Sequence, residues 1–187
     1  MTIAIHTLKF IGLSPLLQDN AAQMSNTNPG IKSPTKEDET PQQHVEGCVY
    51  RDGEGRLYHP SWALRRSLER GATNKKIGKL SAPGLVRAGV FPSEEEAMLI
   101  DPETGEPITE YEILTVTGVN KTTKGRIVVH RAKFPVWGAV VPFELDDDFI
   151  KVDHVLTLYQ IAGRIAGIGA WRPEKSGKYG RYRVEQT

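Results

Sequence analysis

The chain reads as an α+β domain with a βαββαβ core and insertions. Three observations lead there. Alternating apolar runs lie near both ends and in the middle of the 187 residues. Two segments carry apolar residues at helical spacing, and strands and helices interleave instead of separating into blocks. Hydrophobic residues are 39% and charged residues 25% of the chain, an ordinary globular composition that can supply a real core. The length fits one domain over 1–187, or one domain with an insertion.

The elements follow in order. Ile3, Ile5, Leu8 and Phe10 are apolar with polar residues between them, which predicts a first strand over 2–12. Gly12 and Pro15 end it. Residues 18–40 are rich in Asn, Ser, Thr, Pro and Gly with little to bury, and read as a flexible loop or arm. Thr40 can cap a short helix with Pro41 at its first position, running to about Tyr50. Residues 51–55, ArgAspGlyGluGly, signal a turn. His59 and Pro60 then open a helix whose inward stripe is Ala63, Leu64, Ser67, Leu68, Gly71 and Ala72, with Arg65, Arg66, Glu69 and Arg70 pointing outward.

Residues 73–110 are punctuated by glycine and proline and read as an irregular insertion with a short helix near Ala82 to Ala88. Glu112 to Val119 and Arg126 to Lys133 form two β-like runs, and the AsnLysThrThrLysGly between them suits a hairpin. Trp137 to Leu145 is a further strand that Pro142 should place at an edge or bend. Lys151 to about Ile165 is the clearest helix, with Val152, Val155, Leu156, Tyr159 and Ala162 at three- and four-residue spacing and Asp153 near its start. Arg181 to Glu185 closes the chain as a short strand. With insertions set aside, this order is the ferredoxin-like arrangement.

Bulk features exclude several classes. The single cysteine, Cys48, forms neither an internal disulfide nor a zinc site and points to a reducing compartment. No run of about 18 apolar residues is present to span a membrane. The N-terminus lacks the basic region and cleavage site of a signal peptide. A cytoplasmic location is expected.

The net charge of +1 hides a segregated distribution. Between Ser61 and Val90, Arg65, Arg66, Arg70, Lys75, Lys76, Lys79 and Arg87 stand against Glu69 alone. Lys121, Lys124, Arg126, Arg131 and Lys133 have no acid among them, and Arg164, Arg172, Lys175, Lys178, Arg181 and Arg183 stand against Glu174. The acids gather at Glu37 to Glu39, Glu94 to Glu96, Asp101 to Glu112 and Asp146 to Asp148. Such separation can give a nearly neutral protein one basic face.

The most informative stretch is residues 163–183, where Gly163, Gly167, Gly169, Gly177 and Gly180 are interleaved with the last basic group and with Trp171, Tyr179 and Tyr182. Glycine lets the backbone turn through positive φ and approach a ligand closely, and successive amides in such turns form anion-binding concavities. Arg172, Lys175, Lys178 and Arg181 can add phosphate contacts, and an aromatic ring can stack on a base. The segment is neither a P-loop, since no GlyLysSer or GlyLysThr closes it, nor a dinucleotide fingerprint, since it follows a helix instead of opening one.

This helix, basic glycine-rich loop and final strand resemble the signature of the repeat-associated mysterious proteins, the RAMP superfamily of CRISPR effector complexes. Residues 52–69, AspGlyGluGlyArgLeuTyrHisProSerTrpAlaLeuArgArgSerLeuGlu, are similar to a second family element, in which a short strand meets a proline and an RNA-facing helix. The family usually has a glycine and serines after that proline; here Ser61 and Trp62 follow Pro60. The resemblance covers about half of the chain. It implies an RRM-like fold and sequence-tolerant binding along single-stranded RNA or DNA, often by a row of subunits. It fits best a compact backbone-type subunit that would form a homo-oligomer or filament. IleGlyLeuSerProLeuLeu near the N-terminus is similar to small phage and mobile-element proteins of this build, which would make the chain a stand-alone relative.

On this reading the nucleic-acid-binding residues are Arg65, Arg66, Arg70, Gly167, Gly169, Arg172, Lys175, Gly177, Lys178, Gly180 and Arg181. No catalytic residue, metal or cofactor is assigned. The alternatives are a metal-independent RNA-processing endoribonuclease, using His59 or His130 as acid or base, and a structural protein-interaction or virion component. Asp146, Asp147 and Asp148 read as charges facing the positive end of the next helix. Ser14 and Ser67 have no base in any hydrolase motif.

Overall fold

In the computed structural model, which describes residues 2–20, 40–119 and 124–187, the first strand β1 (Ile3–Gly12) lies at the centre of the main sheet. Alternation explains its two faces. Leu8 and Phe10 are fully buried, whereas Ile3 and Ile5 on the opposite face are 55% and 66% exposed.

The chain continues through β2 (Leu16–Gln18), helix α1 (Pro41–Glu46), β3 (Tyr58–Pro60), helix α2 (Ser61–Gly71), the small hairpin β4 (Lys76–Ile77) and β5 (Leu80–Ser81), helix α3 (Ala82–Gly89), β6 (Val90–Pro92) and β7 (Glu96–Met98). Then come β8 (Glu112–Val119), β9 (Arg126–Phe134), β10 (Gly138–Asp146), helix α4 (Val152–Ile165) and β11 (Tyr182–Gln186). The main sheet has the order β11-β1-β10-β6, antiparallel throughout. With α2 between β1 and β6, and α4 between β10 and β11, this is the ferredoxin-like βαββαβ topology.

The core strands are not all the expected ones. The hairpin β8–β9 pairs in register from Glu112↔Lys133 to Val119↔Arg126, but it joins β2 in a separate three-stranded sheet. None of the β8 side chains is buried, so its alternation marks a strand without saying which sheet receives it. The fourth core strand is β6, three residues within the segment expected to be irregular. Pro92 ends it too soon for a period to show. Segment 73–110 contributes Ala82, Leu85, Val86, Val90, Ala97 and Leu99 to the common buried cluster.

Pro142 sits in a central strand, not at an edge. Its carbonyl accepts from the Ser93 amide at 2.9 Å, just past the end of β6, so the missing N–H falls where the partner ladder is already ending. Gln18, at the start of the expected loop, is wholly buried in β2, where its side chain donates to the Tyr58 carbonyl at 2.7 Å and accepts from the Tyr50 amide at 3.0 Å. Residues 21–39 of that loop, Glu37 to Glu39 included, and residues 120–123 of the hairpin turn lie outside the described residues.

Helices α2 and α4 cover one face of the sheet over an aromatic cluster. The Phe10 ring meets Tyr159 edge-on at 5.0 Å and Tyr182 at 5.5 Å, and Phe143 lies 5.8 Å from Tyr159. The short α1 carries the predicted cap: Thr40 and Gln43 form a reciprocal capping box. Among the described residues no helix is long and apolar enough to cross a membrane.

Candidate nucleic-acid interface

Between α4 and β11 the glycine-rich segment folds back on α2. A cleft of about 320 Å³ separates them, lined by Ala63, Arg66, Ser67 and Arg70 from α2 and by Gly167, Ile168, Gly169, Arg172, Glu174 and Lys175 from the loop. Two contacts hold its walls. The Ser67 and Tyr182 hydroxyls lie 2.8 Å apart in the interior, and Arg70 pairs with Glu174 at 2.8 Å.

Electrostatically the cleft is basic around one acid. Glu174 bridges Arg70 and Arg172, each at 2.8 Å, and Arg172 also donates to the Gly169 carbonyl at 3.0 Å. Arg172 is thereby a fixed wall group. Arg66 and Lys175 are exposed and form no ion pair among the described residues. Lys178 and Arg181 are exposed on the same loop but do not line the cleft.

Arg65 must be corrected. It was expected to point outward, but it is 8% exposed. Its Nε donates to the Val90 carbonyl at 2.8 Å, one Nη donates to the Arg87 carbonyl at 3.1 Å, and the other pairs with Glu69. Its guanidinium carbon lies 5.1 Å from the Trp62 ring centroid and 5.3 Å from that of Phe91. The helix turns Arg65 toward β6, whose carbonyls need donors, so it ties α2 to the sheet and to α3. Arg65→Ala is expected to cost about 2–4 kcal/mol in urea unfolding, because two carbonyls and Glu69 lose their donor together.

The glycines also need a different account. Gly167, Gly177 and Gly180 serve the loop's own closure. The Gly167 amide donates to the Ala162 carbonyl at 3.0 Å and caps α4. Gly180 has φ +65°, and a Cβ there would lie 1.8 Å from the Ile168 carbonyl oxygen. Most loop amides are spent internally: Ile168 donates to Gly180, Ala170 to Leu17, Gly177 to Arg172 and Gly180 to Pro15. The amides of Gly169, Trp171, Arg172 and Lys178 have no acceptor among the described residues. The strap through Ser14, Pro15 and Leu17, which anchors the loop, is distant in sequence and carried no signal there.

The histidine candidates separate. His59 is 5% exposed, and its pKa falls to about 4 because burial disfavours the charged ring and Arg172 adds repulsion. A neutral, enclosed imidazole is poorly placed for acid–base exchange with a strand. In the unfolded chain a histidine titrates near 6.5, so between pH 6.5 and about 4 the unfolded state binds more protons and stability rises with pH. Thermal melting should therefore drop as pH falls through this window, and His59→Gln should flatten that drop. His130 lies on β9, with its Nδ1 2.9 Å from the Thr115 hydroxyl and its ring 5.9 Å from His44. It belongs to the second sheet and does not line the cleft. Asp146 organises the turn after β10, where its carboxylate accepts from the Asp148 amide at 3.0 Å.

The fold is a ferredoxin-like core whose glycine-rich segment leads from the second core helix to the last strand, and solved structures of the same fold are known. Neither a protein-family model nor a curated protein matches the sequence. Among solved structures, Cmr6 from Pyrococcus furiosus is similar with a TM-score of 0.50 and 14% identity, over 99% of this chain and 100% of that one. A chain of a Type IV-B CRISPR complex is similar with a TM-score of 0.47 and 12% identity, over 98% of this chain and 90% of that one.

Proposed function

We propose that this chain binds the phosphate backbone of a single-stranded nucleic acid along the cleft between α2 and the glycine-rich loop. One observation carries the reading. Arg66 and Arg70 on α2 and Arg172 and Lys175 on the loop, remote in sequence, line one cleft with Glu174 as its only acid among the described residues. Arg66 and Lys175 contact phosphates directly, Arg70 and Arg172 supply fixed positive charge, and Lys178 and Arg181 extend the path over the loop. The likeness to Cmr6 supports this through the fold. Copies of the chain, or a row of related subunits, assemble along the bound strand.

Binding of labelled single-stranded RNA and DNA of increasing length, across a salt series, tests it. Affinity should fall linearly on logarithmic axes as salt rises, and mass should grow by whole subunits with strand length. Absence of binding at low salt would sink the reading.

One observation favours a second role, as a protein-contact component. The sheet face away from the helices presents Ile3, Ile5, Phe91 and Val140, between 39% and 66% exposed. Assembly of the purified chain without any nucleic acid would promote that role over the first.

A further inference from the structure

We infer that Trp171 and Tyr179 form a base-stacking site beside the cleft, so that the ligand is a strand bearing unpaired bases and not a polyanion alone. This rests on the phosphate-binding reading of the cleft.

The starting point is a backbone outlier. Trp171 has φ +48°, in the left-handed region that bulky side chains rarely enter. Such conformations persist only where the surroundings over-determine them, and they concentrate at ligand clamps. Here the loop closes on the Trp171 carbonyl, which accepts from the Tyr179 amide at 3.2 Å. Gly177 lies so near that a Cβ there would be 1.7 Å from the same oxygen. The loop is built to hold this tryptophan in place.

The rings differ from the aromatics of the core. Tyr182 is wholly buried with its hydroxyl on Ser67, and Trp137 is buried with its indole N–H donating to the Ser14 carbonyl at 2.8 Å. Trp171 and Tyr179 are only half-buried, and their polar ends have no hydrogen-bond partner among the described residues. Their centroids are 6.3 Å apart with planes tilted by 40°, too open for the rings to be stacked on each other. Lys178 Nζ sits 5.5 Å from the Tyr179 centroid. Trp171 also lies in sequence between Gly169 and Arg172, both of which line the cleft. Planar faces, a cation and unspent amides thus adjoin the phosphate path, the combination that single-strand binders use.

The experiment compares binding of oligoadenylate and of an abasic strand of equal length by wild type, Trp171→Gly and Tyr179→Leu, with thermal melting of each protein. Glycine is at ease at φ +48°, so Trp171→Gly should melt no lower than wild type while binding oligoadenylate about tenfold more weakly. Tyr179→Leu should weaken the same binding. Wild type should prefer oligoadenylate to the abasic strand, and both variants should lose that preference. Unchanged affinity for oligoadenylate in both variants would overturn the stacking site and leave the cleft standing. A lower melting temperature in Trp171→Gly with the base preference retained would assign the ring to packing instead. No binding of either strand by wild type would remove the cleft reading as well.

Discussion

Replacing Arg66 and Lys175 together by glutamate is expected to weaken single-strand binding by at least about a hundredfold at low salt. Hydrogen bonds to charged groups contribute roughly 1.5–3 kcal/mol each, and reversal adds repulsion to the loss of two of them. The salt dependence should become shallower by roughly 1.4 logarithmic units, about 0.7 for each lost contact with a single strand. Folding should be affected by no more than about 0.5 kcal/mol, because both side chains are exposed and unpaired among the described residues. The choice of these two matters. Arg70 and Arg172 are tied to Glu174, so changing either would disturb the wall of the cleft as well as its charge. Retained affinity with an intact fold would show that the strand, if bound, runs elsewhere.

Phe10→Ala is expected to remove about 3–5 kcal/mol of folding stability in urea titration, a large part of the roughly 5–15 kcal/mol available to a typical domain. Phe10 is fully buried on the central strand, and its ring meets Tyr159 and Tyr182 edge-on. Tyr182 opens β11 directly after the glycine-rich loop, so the cavity would also loosen the end of that loop. Ile5→Ala, on the same strand, should change stability by no more than about 0.5 kcal/mol, because Ile5 is 66% exposed. Equal losses for the two would contradict the placement of the core on one face of β1.

Local periodicity made much of this fold legible. The Thr40 cap, the helix after Pro60, the helix beginning near Lys151, the hairpin from Glu112 and the final strand all rest on signals within a dozen residues, and each element stands where those signals place it, to within a few residues. Composition was equally direct for the glycine-rich segment as a locus of turns and positive charge. The failures share one cause. Val90 to Pro92 is too short to show a period, yet the edge of β10 makes it a core strand. Arg65 has the same charge and helical neighbourhood as Arg66, but carbonyls from α3 and β6 draw it inward.

By itself, then, the sequence determined the element order, the α+β class, the apolar faces of α2 and α4 and the clustering of basic residues. These depend on spacing and composition, which any stretch of chain carries alone. Only the tertiary structure decided which strands share a sheet, which arginine is structural and which faces the cleft, and that the loop's glycines serve its closure. Those outcomes depend on groups far apart in the chain: Ser14 and Pro15 against the loop, Val90 against Arg65, Arg70 against Glu174. A buried donor or acceptor takes whichever partner the fold brings within about 3 Å, and sequence spacing does not record that distance.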